Sequence, residues 1–204
     1  VSAVLPVQSL GEGAWVTFVP DFIPNPETVF RGLLEELPLK VETLRMGARE
    51  VATPRETSWH GDPGCRYRYS GRDFEPQPFT PRLAELRGLL KTALGVDFNT
   101  VLANHYRDGR DAMGWHADDE PELGPRAPDD VLIASLSLGA ARRFVMKPKR
   151  ARGRTGERWS WALGGGSLLV MGGTCQRLYA HAVPRTAQPV GPRLNLTFRI
   201  VQPV

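Results

Sequence analysis

The sequence predicts an α+β fold in which two early helices precede a run of short strands that close into a sandwich or barrel. Three observations predict it. Apolar residues recur at helical spacing in two stretches, Val29–Leu37 and Leu83–Leu94. From Asn99 onward the apolar pattern shortens to period two. Turn-forming residues are abundant, with 21 Gly and 18 Pro in 204 residues, which favours short strands over long helices.

The elements follow in order. Asn25-Pro26-Glu27 reads as a helix start, with an N-cap, a proline in the first turn and an acid near the positive end of the dipole. Val29, Phe30, Leu33, Leu34 and Leu37 form the stripe, and Pro38 ends it. Thr80-Pro81 starts a second helix, with Leu83, Leu86, Leu89, Leu90 and Leu94 on one face and Gly95 closing it. Between the helices, Leu44–Glu75 is turn-rich and mixes arginines with Trp59, Tyr67, Tyr69 and Phe74. The strand candidates are Thr100–Arg107, Val131–Leu138, Arg143–Lys147, Arg158–Ala162, Ser167–Met171 and Arg193–Val201.

Composition sets limits. Hydrophobic residues are 41% and charged residues 24%, as expected for one globular domain. The net charge of +4 suits a polyanionic partner without demanding one. Two cysteines, Cys65 and Cys175, make no disulfide framework. No stretch of 18 apolar residues occurs, and Val1–Trp15 lacks a basic segment followed by an apolar run. The expectation is a soluble monomer with no membrane contact, cytoplasmic, or nuclear in a eukaryote.

Gly114-Trp115-His116-Ala117-Asp118 is the central motif. On an extended segment, residues i and i+2 point to one side, so His116 and Asp118 can face one point. Two ligands do not make a stable metal site, so a third must come from elsewhere. Of the remaining histidines, His60, His105 and His181, the first two read as structural. His105, on its strand, points away from Asn104 and Tyr106. Two histidines and a carboxylate on one octahedral face leave three positions open, the arrangement of non-haem Fe(II) oxygenases.

The last strand is a second signal. Arg193, Asn195, Thr197 and Arg199 share one side, while Leu194, Leu196, Phe198 and Ile200 share the other. The polar side reads either as a solvent face or as an inward face. Turned inward, it offers two guanidinium forks suited to carboxylates. Its ends are about 20 Å apart, so two long side chains can lean toward one small dicarboxylate such as 2-oxoglutarate. Asn104 and Tyr106, two apart on another strand, can add hydrogen bonds.

Together, Asn104–Gly109, Trp115–Glu120, Ser135–Gly139, His181 and Arg193–Arg199 resemble the AlkB family of dealkylating dioxygenases, and the match reaches back through Tyr67–Gly71 to Pro54-Arg55. The resemblance covers roughly residues 44–201. It implies a double-stranded β-helix (jelly roll) core over about 98–202, N-terminal helices and a nucleotide-recognition lid over about 44–75, all in one domain spanning 1–204. Carried over residue by residue, His116, Asp118 and His181 look like the iron ligands. Asn104, Tyr106, Arg193, Thr197 and Arg199 look like the 2-oxoglutarate contacts, with Asn195 nearby. By position, Arg193 takes the distal carboxylate and Arg199 lies near the metal-bound end. Tyr67, Tyr69, Asp119 and Glu120 match positions around the damaged base. Arg55, Arg68, Arg142 and Arg143 are candidates for the nucleic-acid backbone.

The implied reaction is oxidative demethylation of bases such as 1-methyladenine or 3-methylcytosine, in DNA or RNA. It consumes 2-oxoglutarate and O2 on Fe(II) and releases formaldehyde, succinate and CO2. A cationic methylated base gives the tyrosine faces and Asp119 a physical role, and reaching it requires a single strand or a flipped nucleotide. The sequence departs from the family in two places. Duplex-active members carry an aromatic wedge shortly before the Pro-Arg pair, where this chain has Leu44-Arg45-Met46-Gly47-Ala48-Arg49. They also carry a basic triplet after the distal histidine, where Val183–Gln188 offers Arg185 alone. Single-stranded DNA or RNA is therefore favoured over duplex. Two other readings stand beside this one. One is an oxygenase acting on a protein or small molecule, and the other a non-catalytic nucleic-acid-binding module.

Overall fold

In the computed structural model, residues 5–46, 49–65, 67–69, 72–149 and 158–202 are described, with the backbone alone at 44–46, 49–50, 67–69 and 72–74. In chain order the elements are β1 (Gln8–Gly11), β2 (Ala14–Val19), α1 (Pro26–Glu36), β3 (Lys40–Met46), β4 (Arg49–Gly61), β5 (Tyr67–Tyr69), β6 (Arg72–Phe74), α2 (Pro81–Leu94), β7 (Thr100–Tyr106), β8 (Met113–His116), β9 (Ile133–Gly139), β10 (Arg142–Pro148), β11 (Trp159–Leu163), β12 (Ser167–Gly172), α3 (Cys175–Leu178), β13 (Tyr179–Val183) and β14 (Arg193–Arg199).

Two sheets face each other as a jelly roll. The larger has eight strands in the order β1-β2-β12-β9-β14-β7-β4-β3, and the smaller has four in the order β11-β10-β13-β8. Period-two alternation sorts each central strand of the large sheet between two environments. Leu194, Leu196 and Phe198 of β14 join Val101, Ala103, Leu136 and Leu138 against Leu33, Leu83 and Leu90 of the two helices. The opposite faces of the same strands look across at the small sheet, where Ile133, Leu169 and Met171 pack with Phe144, Met146 and Tyr179. Both long helices therefore cover one face of the large sheet, and the small sheet covers the other.

The helix ends divide. Thr80 caps α2 by accepting from the Leu83 N–H at 3.4 Å, and Gly95 closes it at φ 69°, where a side chain would be strained. Asn25 does not cap α1 through its side chain. It takes a left-handed conformation (φ 51°, ψ 51°), and its carbonyl accepts from the Thr28 N–H at 3.1 Å.

Two parts of the architecture depart from the sequence expectation. The strands β1 and β2 extend the large sheet by pairing onto β12. The expected lid, 44–75, also divides. Its first residues end β3, and the next are in β4, a 13-residue strand paired with β7 from Glu56↔His105 to Gly61↔Thr100. The physical reason is alternation that the arginines obscure. Thr53, Arg55 and Thr57 are buried on alternate positions, so β4 is a sheet strand with a polar inner face. Among the described residues, the β5–β6 ribbon, Tyr67↔Phe74 to Tyr69↔Arg72, stands as a separate two-stranded sheet.

Candidate active site

A cavity of about 1000 Å³ opens between the two sheets, lined by residues of β4, β7, β9 and β14 on one side and of β8, β10 and β13 on the other. The polar residues of β14 are its floor. All seven residues of that strand are buried, because helices cover one face and the small sheet roofs the other. The inward alternative for the Arg193–Arg199 face is thus the one the fold adopts.

His116 and His181 are direct cross-strand partners in the β8–β13 pair, with ring centroids 4.2 Å apart. Cross-strand neighbours are the closest contacts a sheet offers, so two residues distant in sequence meet here. Asp118 follows the end of β8 and is 3% exposed. One ligand atom from each of His116, Asp118 and His181 lies within 4.8 Å of the others. His116 Nδ1 is 2.9 Å from the Gly114 carbonyl. A carbonyl only accepts, so Nδ1 is the donor here and Nε2 is the ring nitrogen left to face a metal. His181 stacks on Phe144 at 5.3 Å between centroids. Burial, with His116 adding, pushes its pKa down to about 3, so the imidazole is neutral. Burial pushes the Asp118 carboxyl up, but Arg199, His181 and His116 more than offset it, and the net direction is down. The Arg199 guanidinium bonds Asp118 directly. Two imidazoles and one carboxylate are the donor set that suits a ferrous ion.

At the other end of the floor, Arg193 is 1% exposed. Its Nη2 donates to the Ser137 hydroxyl at 2.8 Å, and its guanidinium lies over the Tyr106 ring at 5.1 Å. Nε and Nη1 are buried and have no hydrogen-bond partner among the described residues. Burial pushes its pKa down, with Arg142 adding and Tyr106 opposing. A guanidinium stays protonated regardless. A buried cation without a counter-charge costs on the order of several kcal/mol, which a bound carboxylate would offset. The donors present therefore fit a dicarboxylate. Asn104 accepts from Arg55 Nε at 2.6 Å, leaving its amide NH2 to donate. Thr197 donates to Asn195 at 3.1 Å. Asn195 gives its own amide hydrogens to Ser135 Oγ at 2.7 Å and Leu136 O at 2.9 Å. Asn195 thus ties β14 to β9 beneath the cavity and has no donor left over.

The expected base contacts separate. Glu120 lines the cavity. Asp119 does not. It is exposed and pairs with Lys149 Nζ at 2.6 Å. The side chains of Tyr67, Arg68 and Tyr69 lie outside the described residues, as do those of Leu44 and Met46, where duplex-active members carry the wedge, and residues 150–157. Among the backbone candidates, Arg55 turns into the cavity and Arg143 is exposed. Arg142 is a correction. It is 3% exposed and donates to the carbonyls of Asp108, Asp111 and Pro184 at 3.0, 2.9 and 2.8 Å. Three internal carbonyls take three of its five N–H donors, so it clasps loops, and its burial holds it away from the surface where a phosphate would lie.

His60 and His105 stand apart from the cluster and do not line the cavity. His60 Nδ1 donates to the Pro78 carbonyl at 2.8 Å, and Nε2 lies 2.8 Å from Ser58 Oγ. His105 pairs with Glu56 at 2.7 Å. Ser135, Ser137, Phe144 and Gln176 also stand at the site, and none of them is among the site residues the sequence singles out. The signal for the serines was available, since Ser135-Leu136-Ser137 alternates like β14 beside it. Phe144 and Gln176 carry no sequence signal, because only the packing of strands brings them to the site.

The family model of the 2OG-Fe(II) oxygenase superfamily matches residues 16–199. The human alpha-ketoglutarate-dependent dioxygenase alkB homolog 3 is 39% identical over 199 residues, covering 92% of this chain and 66% of that protein. The Arabidopsis thaliana DNA oxidative demethylase ALKBH2 is 35% identical, covering 94% of this chain and 68% of that protein. The chain thus spans about two thirds of the length of these relatives. Its fold is also similar to a solved structure described as that of OsALKBH1, with a TM-score of 0.65 at 17% identity, covering 96% of this chain and 100% of that one.

Proposed function

We propose, for a chain that belongs to the 2OG-Fe(II) oxygenase superfamily and within it to the AlkB-like oxygenases, that it removes methyl groups oxidatively from nucleic-acid bases such as 1-methyladenine and 3-methylcytosine. The observation that carries the reading is Arg193, a buried guanidinium with two nitrogens unpaired among the described residues, in the same cavity as the His116, Asp118 and His181 cluster. Relatives described as DNA oxidative demethylases point to nucleic acid as the substrate.

In this reading His116, Asp118 and His181 hold Fe(II). Arg193 and Tyr106 take the far carboxylate of 2-oxoglutarate, and Arg199, Thr197 and Asn104 orient its near end. When bound, iron, 2-oxoglutarate and O2 supply the oxidising power, and the overall products are formaldehyde, succinate, CO2 and the unmethylated base. The chain supplies binding, orientation and exclusion of water. Arg199 holds the Asp118 carboxylate in one orientation. Phe144 packs flat against His181 and keeps water from its face. Glu120, inside the cavity, attracts a cationic methylated base, and Tyr67 and Tyr69 bracket it. Asp119 joins that contact only after parting from Lys149. Single-stranded DNA or RNA is the substrate favoured over duplex. The reading extends to one monomeric domain in a reducing compartment, cytoplasm or nucleus, in keeping with Cys65 and Cys175 as buried free thiols. No described helix is long and apolar enough to cross a membrane.

The test is a product screen by mass spectrometry over methylated single- and double-stranded DNA and RNA, with iron, 2-oxoglutarate and ascorbate. Loss of one methyl group, faster from single strands, is the expected result. Succinate release stimulated by a peptide or metabolite, with no oligonucleotide demethylated, overturns it.

A further inference from the structure

Asp118 faces a problem that the rest of the cluster does not. His116 and His181 sit within paired strands, so their backbones are fixed by the ladder. β8 ends at His116, and Asp118 lies two residues beyond it. Its backbone N–H therefore has no strand partner, and the residue is buried where water does not supply one. A buried N–H needs an acceptor.

That acceptor is Gln176. Its Oε1 receives the Asp118 N–H at 3.0 Å. The side chain is 0% exposed, which is rare for a glutamine. Its orientation is unambiguous, because an N–H requires the oxygen and not the amide nitrogen. The nitrogen points instead at the Met171 sulfur, 3.7 Å away, a weak acceptor. A glutamine buried for packing alone would find better partners for both ends. This one gives its strong bond to Asp118.

The local fold delivers it there. After β12 the chain turns at Gly173, which has φ 61°. A Cβ on Gly173 would lie 2.1 Å from the Gly13 carbonyl oxygen, so only glycine fits that turn. The short helix α3 starts at once and places Gln176 beneath the end of β8. The carboxylate of Asp118 is held by Arg199 and its backbone by Gln176, from opposite ends of the residue.

We propose that Gln176 is a positioning residue for the metal centre: its amide oxygen fixes the Asp118 backbone so that the carboxylate is aimed at the ion together with His116 and His181. This rests on the reading of those three as metal ligands. Groups that orient a ligand without touching the metal typically contribute about 10- to 100-fold in affinity.

The experiment measures Co(II) binding to the metal-free full chain by calorimetry and follows the visible spectrum of the Co(II) form. It compares the wild type with Gln176→Met, Gln176→Leu and Gln176→Glu. The first two fill the space without an acceptor, and the third keeps an oxygen for the N–H. The expected result is at least tenfold weaker Co(II) binding and an altered spectrum in Gln176→Met and Gln176→Leu, with Gln176→Glu recovering both. Thermal melts of the metal-free proteins identify folded variants, and Gln176→Met, nearest in shape, is the one retained if Gln176→Leu does not fold. Wild-type affinity and spectrum in a folded Gln176→Met protein overturn the proposal, as does a Gln176→Glu protein no better than Gln176→Met. A wild-type protein that binds Co(II) no better than Asp118→Ala sinks the metal-site reading itself, which is a different failure.

Discussion

Arg193, in the cavity lining, donates to Ser137 with one arm of its guanidinium and leaves its two other nitrogens without a partner among the described residues. The two residues meet through the β14–β9 pair, where Asn195 stands opposite Ser137 and Arg193 opposite Gly139. Ser137 thus holds the fork in place and leaves the rest of it for a ligand.

Replacing Arg193 by Gln removes the unpaired cation. Hydrogen bonds to a charged group contribute about 1.5–3 kcal/mol, so the KM for 2-oxoglutarate should rise roughly 10- to 100-fold. Co(II) affinity should stay within about twofold, since the metal cluster is at the other end of β14. Steady-state kinetics with calorimetry check both. An unchanged KM places the dicarboxylate elsewhere.

Asp118→Ala should abolish succinate release and metal binding together. Full turnover in that variant removes Asp118 from the metal site. Arg199, which bonds Asp118 in the wild type, then loses its carboxylate partner in the cavity, so a modest loss of thermal stability should accompany the loss of activity.

His60 sets a pH dependence of stability away from the metal centre. Burial lowers its pKa below the ordinary 6.5, with the Pro78 hydrogen bond opposing. The unfolded chain therefore binds more protons than the folded one as pH falls through 6.5. By linkage, His60 contributes stability that is present above pH 6.5 and is lost as pH falls toward the folded pKa. The melting temperature of the wild type should drop over that window. A His60→Gln protein, which cannot titrate, should show a shallower drop. Parallel curves contradict the assignment.

Leu196→Ala tests the helix-facing side of β14. Leu196 is fully buried between the sheet and the helices, so the substitution should cost about 2–5 kcal/mol by denaturant unfolding. The KM for 2-oxoglutarate should change little at temperatures where the protein is folded, because Leu196 points away from the cavity. A raised KM at full folding would show that the two faces of the strand are coupled.

Arg142→Met separates a clasp from a phosphate contact. Its guanidinium binds three carbonyls, so stability should fall. The salt dependence of oligonucleotide binding should not move, whereas loss of a phosphate contact would reduce its slope by about one. A reduced slope would return Arg142 to the nucleic-acid interface.

The sequence by itself determined the local elements and the chemistry they carry. Period-two alternation in Arg193–Arg199 made that segment a strand with one polar face. His116 and Asp118 at i and i+2 made a shared metal face plausible, and Thr80 with Gly95 bounded α2. These are short-range consequences of backbone geometry, so a local pattern encodes them. Only the tertiary structure decided which way the polar face turned, because that depends on which sheet or helix covers each side. It also decided that β4 is a strand of the large sheet, that Arg142 is buried while Arg143 is exposed, and that Asp119 faces Lys149 while Glu120 faces the cavity. Gln176 was silent in the sequence for the same reason. Its partner is 58 residues away, and a contact between distant segments leaves no periodic trace in either of them.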